Sequence, residues 1–542
     1  MLPFVVLIRK ILVPGKDRVL IWERTFLMFE NLFSYALTNP LSILLNKAPA
    51  EFQRKDVLNI IEREQIERIT FHYTALDGRL KELKIPVWSR KQAELVLAQG
   101  ERVDGSSLFK SIVETTGSDL YVVPDYSTAF LNPFDEKSID FICRYLTKKG
   151  EPVYFTPDNI LARATDVFQK KSGMDLYAMG ELEFFLISAR EENIFPLNEQ
   201  RGYHESTPFI KSGEILNEIV RLITQITGAV KYAHSEVGSI NNIHSDMAEI
   251  NGKQAEQLEI EFEPRPARQM AEALVIGRWI VRNVAYKHGC IATFTPKLDL
   301  EAAGNGFHFH MALYKDEKNI MRGEDGELSE QALRLIGGLC EYAPSLTAFG
   351  NTVASSYFRL VPDQEAPTKI FWSDLNRSAL IRVPLGWSEI GDLAQIVNPE
   401  EEDSFDDAEG RQTVELRSPD GSGLVHLLLA GMTMAAEWAF LDDRSLKLAE
   451  QLYASEELVR DRKEIGYFQS LPTSCVESSR ILEKRRDLYQ RENVFPESII
   501  EYVIKHLQAE NDEQINQRLA EMSENDRLQE IRKILQKDLH RH

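Results

Sequence analysis

Four short stretches of the 542-residue chain each carry two polar or ionisable side chains two positions apart in an otherwise apolar, strand-like run. They are MGELEFFLI with Glu181 and Glu183, QLEIEFE with Glu259 and Glu261, GFHFHMAL with His308 and His310, and TVELRSP with Glu415 and Arg417. Side chains at i and i+2 of a strand share one face. Each run therefore offers a polar pair to one side and Leu, Ile, Phe or Val to the other. One such pair alone fits an exposed sheet face. Four of them, with this many carboxylates, fit a buried site, where unpaired charge is costly and must meet partners or an ion. Carboxylates with one or two imidazoles suit Mg2+ or Mn2+ better than a soft metal, and their number favours two ions over one.

A second group is basic. The stretch SSYFRLVPDQEAPTKIFWSDLNRSALIRVP holds Arg359, Arg377 and Arg382, with Arg417 further on. A guanidinium matches carboxylate and phosphate in bidentate fashion. Surface ion pairing explains such arginines taken alone. Beside hard divalent cations they predict phosphoryl transfer on a carboxylate substrate, because both groups neutralise the charge of a phosphate in flight.

The elements that must position these residues fit a large mixed fold. The length allows two large domains or about three. Helical patterns such as 268–288 alternate with short strands around the polar pairs. Acidic residues number 84 against 63 basic ones, a net charge of −21, which argues against general nucleic-acid binding. Cys143, Cys290, Cys340 and Cys475 are far apart, without zinc or disulfide spacing, and a reducing, cytoplasmic setting is the simplest reading. There is no phosphate-loop sequence, dinucleotide fingerprint, nucleophile elbow or H-E-x-x-H helix. Residues 19–37 space Trp22, Phe26, Phe29 and Phe33 as an amphipathic helix, read as docked on its own protein or a sister subunit in preference to a membrane surface. From about 477 the chain reads as solvated helices with one apolar stripe.

Several motifs, in order, resemble the glutamine synthetase family over about residues 66–450: VDGSS (103–107), GELEFF (180–185), GNGFHFHM (304–311), RLVPDQEAP (359–367), NRSALIRVP (376–384) and VELRSPD (414–420). The resemblance, to a divergent, type I-like member, implies an α+β fold. A small N-terminal β-grasp domain would be followed by a larger catalytic domain with a curved antiparallel sheet flanked by helices. The expected organisation is an N-terminal extension at 1–60, β-grasp at 61–160, catalytic domain at 161–450 and a C-terminal helical region at 451–542.

By the same resemblance, Glu183, Glu249 and Glu259 would hold one metal ion and Glu181, His308 and Glu415 the other. Arg359 and Arg417 would hold the carboxylates of glutamate, with Gly304 also at the substrate and Ser107 binding substrate beside Asp104. Arg377, Arg382 and His310 would contact ATP or the transferring phosphoryl group. Asp104 would reach across a subunit boundary and take a proton from ammonium, and Glu365 would close over the intermediate. The implied reaction is ATP-dependent ligation of ammonia to the γ-carboxylate of L-glutamate through γ-glutamyl phosphate, with Mg2+ or Mn2+, in a homo-oligomeric ring. A γ-glutamyl ligase for a larger amine and a non-catalytic relative are the alternatives. The sequence departs from the family pattern in four places, one of them GSGLVHLLLAG after the last P-D in place of the usual N-P-Y. Ten residues separate Glu249 from Glu259, Ala303 stands where an asparagine is common, and Thr413 stands where an arginine is common, with Arg411 nearby.

Overall fold

The computed structural model describes residues 35–114, 118–190, 195, 199–362, 366–386, 392–403, 410–455, 457–458 and 465–541. The amphipathic segment 19–37 therefore lies almost wholly outside the described residues, as does Glu365.

The first sheet has six strands: β1 (Arg68–Thr74), β2 (Leu80–Pro86), β3 (Glu101–Asp104), β4 (Asp119–Pro124), β5 (Phe130–Leu131) and β6 (Ser138–Leu146). Their order is β2-β1-β6-β4-β3, with β5 on the flank of β6 and only β1–β6 parallel among the neighbouring pairs. β1 is rich in β-branched and aromatic residues, and Gly78 supplies the positive φ its turn into β2 needs. Ile69, Phe71 and Tyr73 bury one face of β1. The other face buries Thr70 and His72, whose polar atoms are satisfied by Ser138 and Asp140 of β6. His72 also packs edge-on against Trp279 of the helix Ala267–Lys287, which joins this sheet to the rest of the chain.

The second sheet has ten strands: β7 (Asp175–Ser188), β8 (Val230–Ile240), β9 (Gln254–Phe262), β10 (Arg265–Pro266), β11 (Ile291–Thr293), β12 (Phe309–Lys315), β13 (Lys318–Asn319), β14 (Trp372–Asp374), β15 (Ile381–Val383) and β16 (Val414–Leu416). The main path is β14-β15-β16-β12-β7-β9-β8. β7 is long enough to change partner midway. Residues 175–180 pair with β12 and residues 181–188 with β9. Gly180 sits at that change, where a Cβ would meet Leu274 of the Ala267–Lys287 helix at 2.8 Å. Helices Glu330–Gly350 and Val425–Leu441 are buried almost throughout, which matches their apolar sequences. The fold is thus α+β, with a small sheet domain followed by a larger, mainly antiparallel sheet and its helices; only β14–β15 is parallel among its described pairs.

The C-terminal helices have the expected single apolar stripe, which is buried against the rest of the fold. Cys475 and Leu482 of Cys475–Lys484, and Ile499, Ile500, Val503 and Leu507 of Glu497–Ala509, belong to the main core. Charged residues on their outer faces hide that burial in the composition. Among the described residues, no helix is long and apolar enough to cross a membrane.

Candidate active site

Strand pairing explains why the polar pairs meet. Residues directly opposite in antiparallel strands project to the same face. Glu183 lies opposite Glu259 and Glu181 opposite Glu261; on the next strand His234 lies opposite Glu259. On the other flank His310 lies opposite Glu415, which in turn lies opposite Arg382. One face of six neighbouring strands thus carries a continuous row of ionisable groups. It lines a cleft of about 1260 Å3, which also receives Gly304, Gly306, His308, Arg359, Arg377, Arg411, Thr413 and Arg417.

Glu181 is the hub. Its Oε2 lies 2.8 Å from His308 Nδ1 and its Oε1 2.8 Å from His310 Nε2. Burial would raise this carboxyl, but His310 and His308 draw it well below the usual range. Burial, then Arg417, lowers His308 to about 4, whereas Glu181 outweighs burial and raises His310. Glu415 is fully buried; Arg382 donates to its Oε2 at 2.8 Å and Arg417 to its Oε1. Burial opposes its ionisation, but His310 and Arg417 prevail and lower it. Ligand atoms of Glu181, His308 and Glu415 lie within 4.8 Å of one another.

The second carboxylate group is less compensated. Burial, then Glu236, pushes Glu183 up to about 8, and burial with Glu181 and Glu183 pushes Glu259 well above its usual range. Glu183 Oε2 accepts the Gly306 N–H at 2.8 Å and Gln257 Nε2 at 3.0 Å. A Cβ on Gly306 would lie 2.6 Å from both Glu183 Oε1 and His308 Nε2, so only glycine permits this approach. Two sets of three ligand atoms lie here, one from His234, Glu236 and Glu259 and one from Glu181, Glu259 and Glu261, each again within 4.8 Å. Crowded hard oxygen donors with at most one imidazole per set fit divalent cations such as Mg2+ or Mn2+.

The expected role of Glu249 is corrected by this geometry. Glu249 lies in the loop between β8 and β9, does not line the cleft, and bonds His540 Nε2 at 2.8 Å with 46% of its side chain exposed. Ile243 and Ile250 bury themselves from the same loop, which turns Glu249 outward. Glu236 stands in the cleft instead, within a register shift of β8 between Ser235 and Ser239 that re-aims the strand. The signal was present in the sequence: His234 and Glu236 form another i, i+2 pair, in VKYAHSEVGSI.

Arg359 is nearly buried. It donates to Ser418 O at 3.0 Å and Arg417 O at 3.3 Å, and its NH2 lies 3.1 Å from His308 Nε2. A Cβ on Gly304 would strike Arg359 Cγ at 2.9 Å, so that glycine makes room for the arginine stem. Arg417 Nε donates to Arg377 O at 2.9 Å. His310 Nδ1 lies 3.0 Å from the Thr413 hydroxyl, and Arg411 lines the cleft nearby. Gln257 ties Glu183 to Gly304 O and Asn305 and was not singled out from the sequence.

Asp104 and Ser107 do not line this cleft. Asp104 caps the short helix Gly105–Leu108 in the small domain, accepting from Ser106 N at 2.9 Å and from the hydroxyls of Ser106 and Ser107 at 2.7 and 2.6 Å. Hydrogen bonds from Ser107, then Ser106, hold its carboxyl far below the usual range.

Comparison with known proteins bears on this cleft. Residues 155–525 match the family described as glutamine synthetase, catalytic domain, and residues 65–148 match its beta-grasp domain. A glutamine synthetase of Pyrococcus horikoshii is 32% identical over 427 residues, covering 78% of this chain and 85% of that protein. One of Aquifex aeolicus is 27% identical over 498 residues, covering 85% and 96%. The cryo-EM structure of Plasmodium falciparum glutamine synthetase superposes with a TM-score of 0.67 at 23% identity, covering 88% of this chain and 98% of that one.

Proposed function

The chain belongs to the glutamine synthetase family, and we propose that its cleft joins ammonia to the γ-carboxylate of L-glutamate at the expense of ATP, giving glutamine, ADP and phosphate. The observation that carries this reading is the convergence of two carboxylate–imidazole sets with Arg359, Arg377, Arg382 and Arg417 in one cleft. Glutamate–ammonia ligation needs all of these: one anion attacks another, and fixed positive charge must offset both.

In this reading Glu181, His308 and Glu415 hold one divalent cation, while Glu236 and Glu259 hold the other with Glu183 beside them. Such cations, when bound, screen the phosphate charge and polarise its oxygens. Arg359, backed by Ser418 O and Arg417 O, orients the glutamate carboxylate next to Gly304. Arg382 and Arg377 reach the phosphoryl group, and His310, held between Glu181 and Thr413, faces the nucleotide.

The ammonium step needs an anion and a proton acceptor. Asp104, kept ionised by its serine hydroxyls, suits an ammonium partner, with Ser107 beside it and Glu365 over the intermediate. Because Asp104 is outside its own chain's cleft, it serves a neighbouring subunit, and the working form is a homo-oligomeric ring. The four free cysteines accord with a cytoplasmic setting.

The test is ADP release and glutamine formation from glutamate, ATP and ammonium, with Mg2+ and Mn2+ compared and with polyamines and ethanolamine as competing acceptors. Ammonium-dependent glutamine at one ADP per product is the expected result. ADP release without glutamine, or with turnover only on the larger amines, would overturn the reading.

A further inference from the structure

Two segments supply the glutamate-facing wall of the cleft. Residues 293–304 end at Gly304, and the turn through Ser356–Arg359 presents Arg359. Both are backed by one element far along the chain, the helix Glu524–Gln536 with the turn 537–541 that follows it. This element lies almost wholly beyond residue 525, where the catalytic-family match ends.

The contacts to the first segment are polar and buried. Thr295 Oγ1 donates to Leu535 O at 3.0 Å, and Thr293 Oγ1 donates to Leu539 O at 2.7 Å. These hydroxyls satisfy carbonyls left free at a helix end. Gln536, itself 3% exposed, donates to Leu298 O at 3.4 Å and to His244 O at 3.2 Å. Leu539, 1% exposed, joins Leu298 and Ala302 in a cluster that also holds Phe185 and Ile187 of β7. On the second segment, Ile531 and Leu535 pack with Ala354 and Phe358, one residue before Arg359.

We propose that the segment 524–541 is a buttress that sets the geometry of the glutamate site, with Gln536 and Leu539 as positioning residues. The physical reason is that Gly304 and Arg359 are in contact with each other. A Cβ at 304 would overlap the arginine stem, so a small shift of either segment changes where the guanidinium points. Displacements well under an ångström matter for a bound, oriented substrate. Among the described residues, the nucleotide side, built on β12, β15 and β16, has no such backing from this element, so its binding is left alone. The inference rests on the glutamate-site assignment under Proposed function.

The experiment uses the full chain with Q536A, L539A and the conservative L539M. Steady-state kinetics are read against glutamate and ATP separately, together with amide hydrogen exchange over 296–304 and 353–359. For Q536A and L539A the expected result is a glutamate KM raised about 10-fold, with kcat and the ATP KM within about 2-fold. Exchange should be faster in both segments, and L539M should restore the wild-type values. A glutamate KM within about 2-fold of wild type for both variants would overturn the proposal, as would equal rises in both KM values. Unchanged exchange would overturn it too. Exchange is read without turnover, so it reports on the buttress even if the wild-type protein makes no glutamine, which would instead refute the function.

Discussion

Exchanging a carboxylate for its amide at Glu236 and, separately, at Glu249 discriminates sharply between the cleft and the sequence pattern. Glu236 contributes one of three ligand atoms lying within 4.8 Å of each other. Loss of a group that merely orients a metal ligand costs about 10–100-fold in affinity. Loss of a ligand itself belongs at or above the upper end, about 2.7 kcal/mol. Part of this is regained, because Glu236 is the neighbour that most raises Glu183 after burial. Without it Glu183 ionises more readily and competes less for a proton, which returns up to about tenfold. The net expectation for Glu236→Gln is a Mn2+ affinity weakened about 10–100-fold, with glutamine formation falling in parallel at limiting metal. Among the described residues Glu249 pairs with an exposed His540, a contact of the kind worth at most about 1 kcal/mol. Glu249→Gln should leave Mn2+ affinity within about twofold of wild type. Calorimetric titration of both variants with Mn2+ decides the matter. If Glu236→Gln bound Mn2+ like wild type, or Glu249→Gln bound it poorly, the site drawn from the cleft would be wrong.

Mixing Asp104→Asn subunits with Glu415→Gln subunits after dissociation should regain about a quarter of wild-type activity although each alone is inactive, because a shared site needs one good residue from each neighbour; no recovery would place both residues in one chain's site. Arg359→Lys should raise the glutamate KM by at least about tenfold, since lysine cannot span Ser418 O, Arg417 O and a substrate carboxylate together; an unchanged KM in initial-rate assays would refute that role. Burial lowers His426 to about 3 from 6.5, so the unfolded chain binds more protons in that window and stability falls as pH drops from 6.5 towards 3. Between pH 7 and 5 urea unfolding should therefore lose about 2 kcal/mol less for His426→Gln than for wild type, and parallel losses would count against it. Glu183, raised to about 8, adds stability below about pH 4.5 that is lost as pH rises through 8. A cation must displace its proton, so the gain in melting temperature from Mn2+ should be larger at pH 8 than at pH 6, and equal gains would contradict this.

Much of the site was legible because β-strand periodicity is short and strict. Glu181, Glu183, Glu259, His308 and Glu415 are all visible as i, i+2 pairs in apolar runs, and pairing of those runs brings them to one face. Glu236 was missed for a physical reason. It sits within a register shift, where the simple alternation fails, and its strand VKYAHSEVGSI is only partly buried and so reads less like a core strand. Glu249 is implied by the family resemblance alone, across a segment that departs from the family pattern. The loop carrying it instead serves Ile243 and Ile250, whose burial fixes the direction of Glu249. The small sheet was foreseeable as a class, but its parallel β1–β6 pair and its junction through His72 and Trp279 depend on contacts far apart in sequence. The C-terminal helices carry the expected single apolar stripe, and Ile499, Val503 and Leu507 seat it in the core while the charged face stays outward.

The departures Ala303 and Thr413 acquire a consistent meaning in the cleft. An arginine at 413 would stand beside His310 and close to Glu415, which already accepts from Arg382 and Arg417. Thr413 instead offers a hydroxyl to His310 Nδ1 at 3.0 Å, leaving Nε2 for Glu181. His310 is thereby fixed in ring orientation, in the way that partners of metal-binding imidazoles usually act. Arg411, which also lines the cleft, returns a guanidinium to the same wall without crowding the buried Glu415. At 303 the backbone does the positioning, since the Ala303 N–H donates to Gln200 Oε1 at 2.9 Å, so the strip leading to Gly304 is held from the Gln200 side as well as from the Leu539 side. The substitutions therefore change which atoms hold the wall, while the charges that face the substrate remain those the reaction needs.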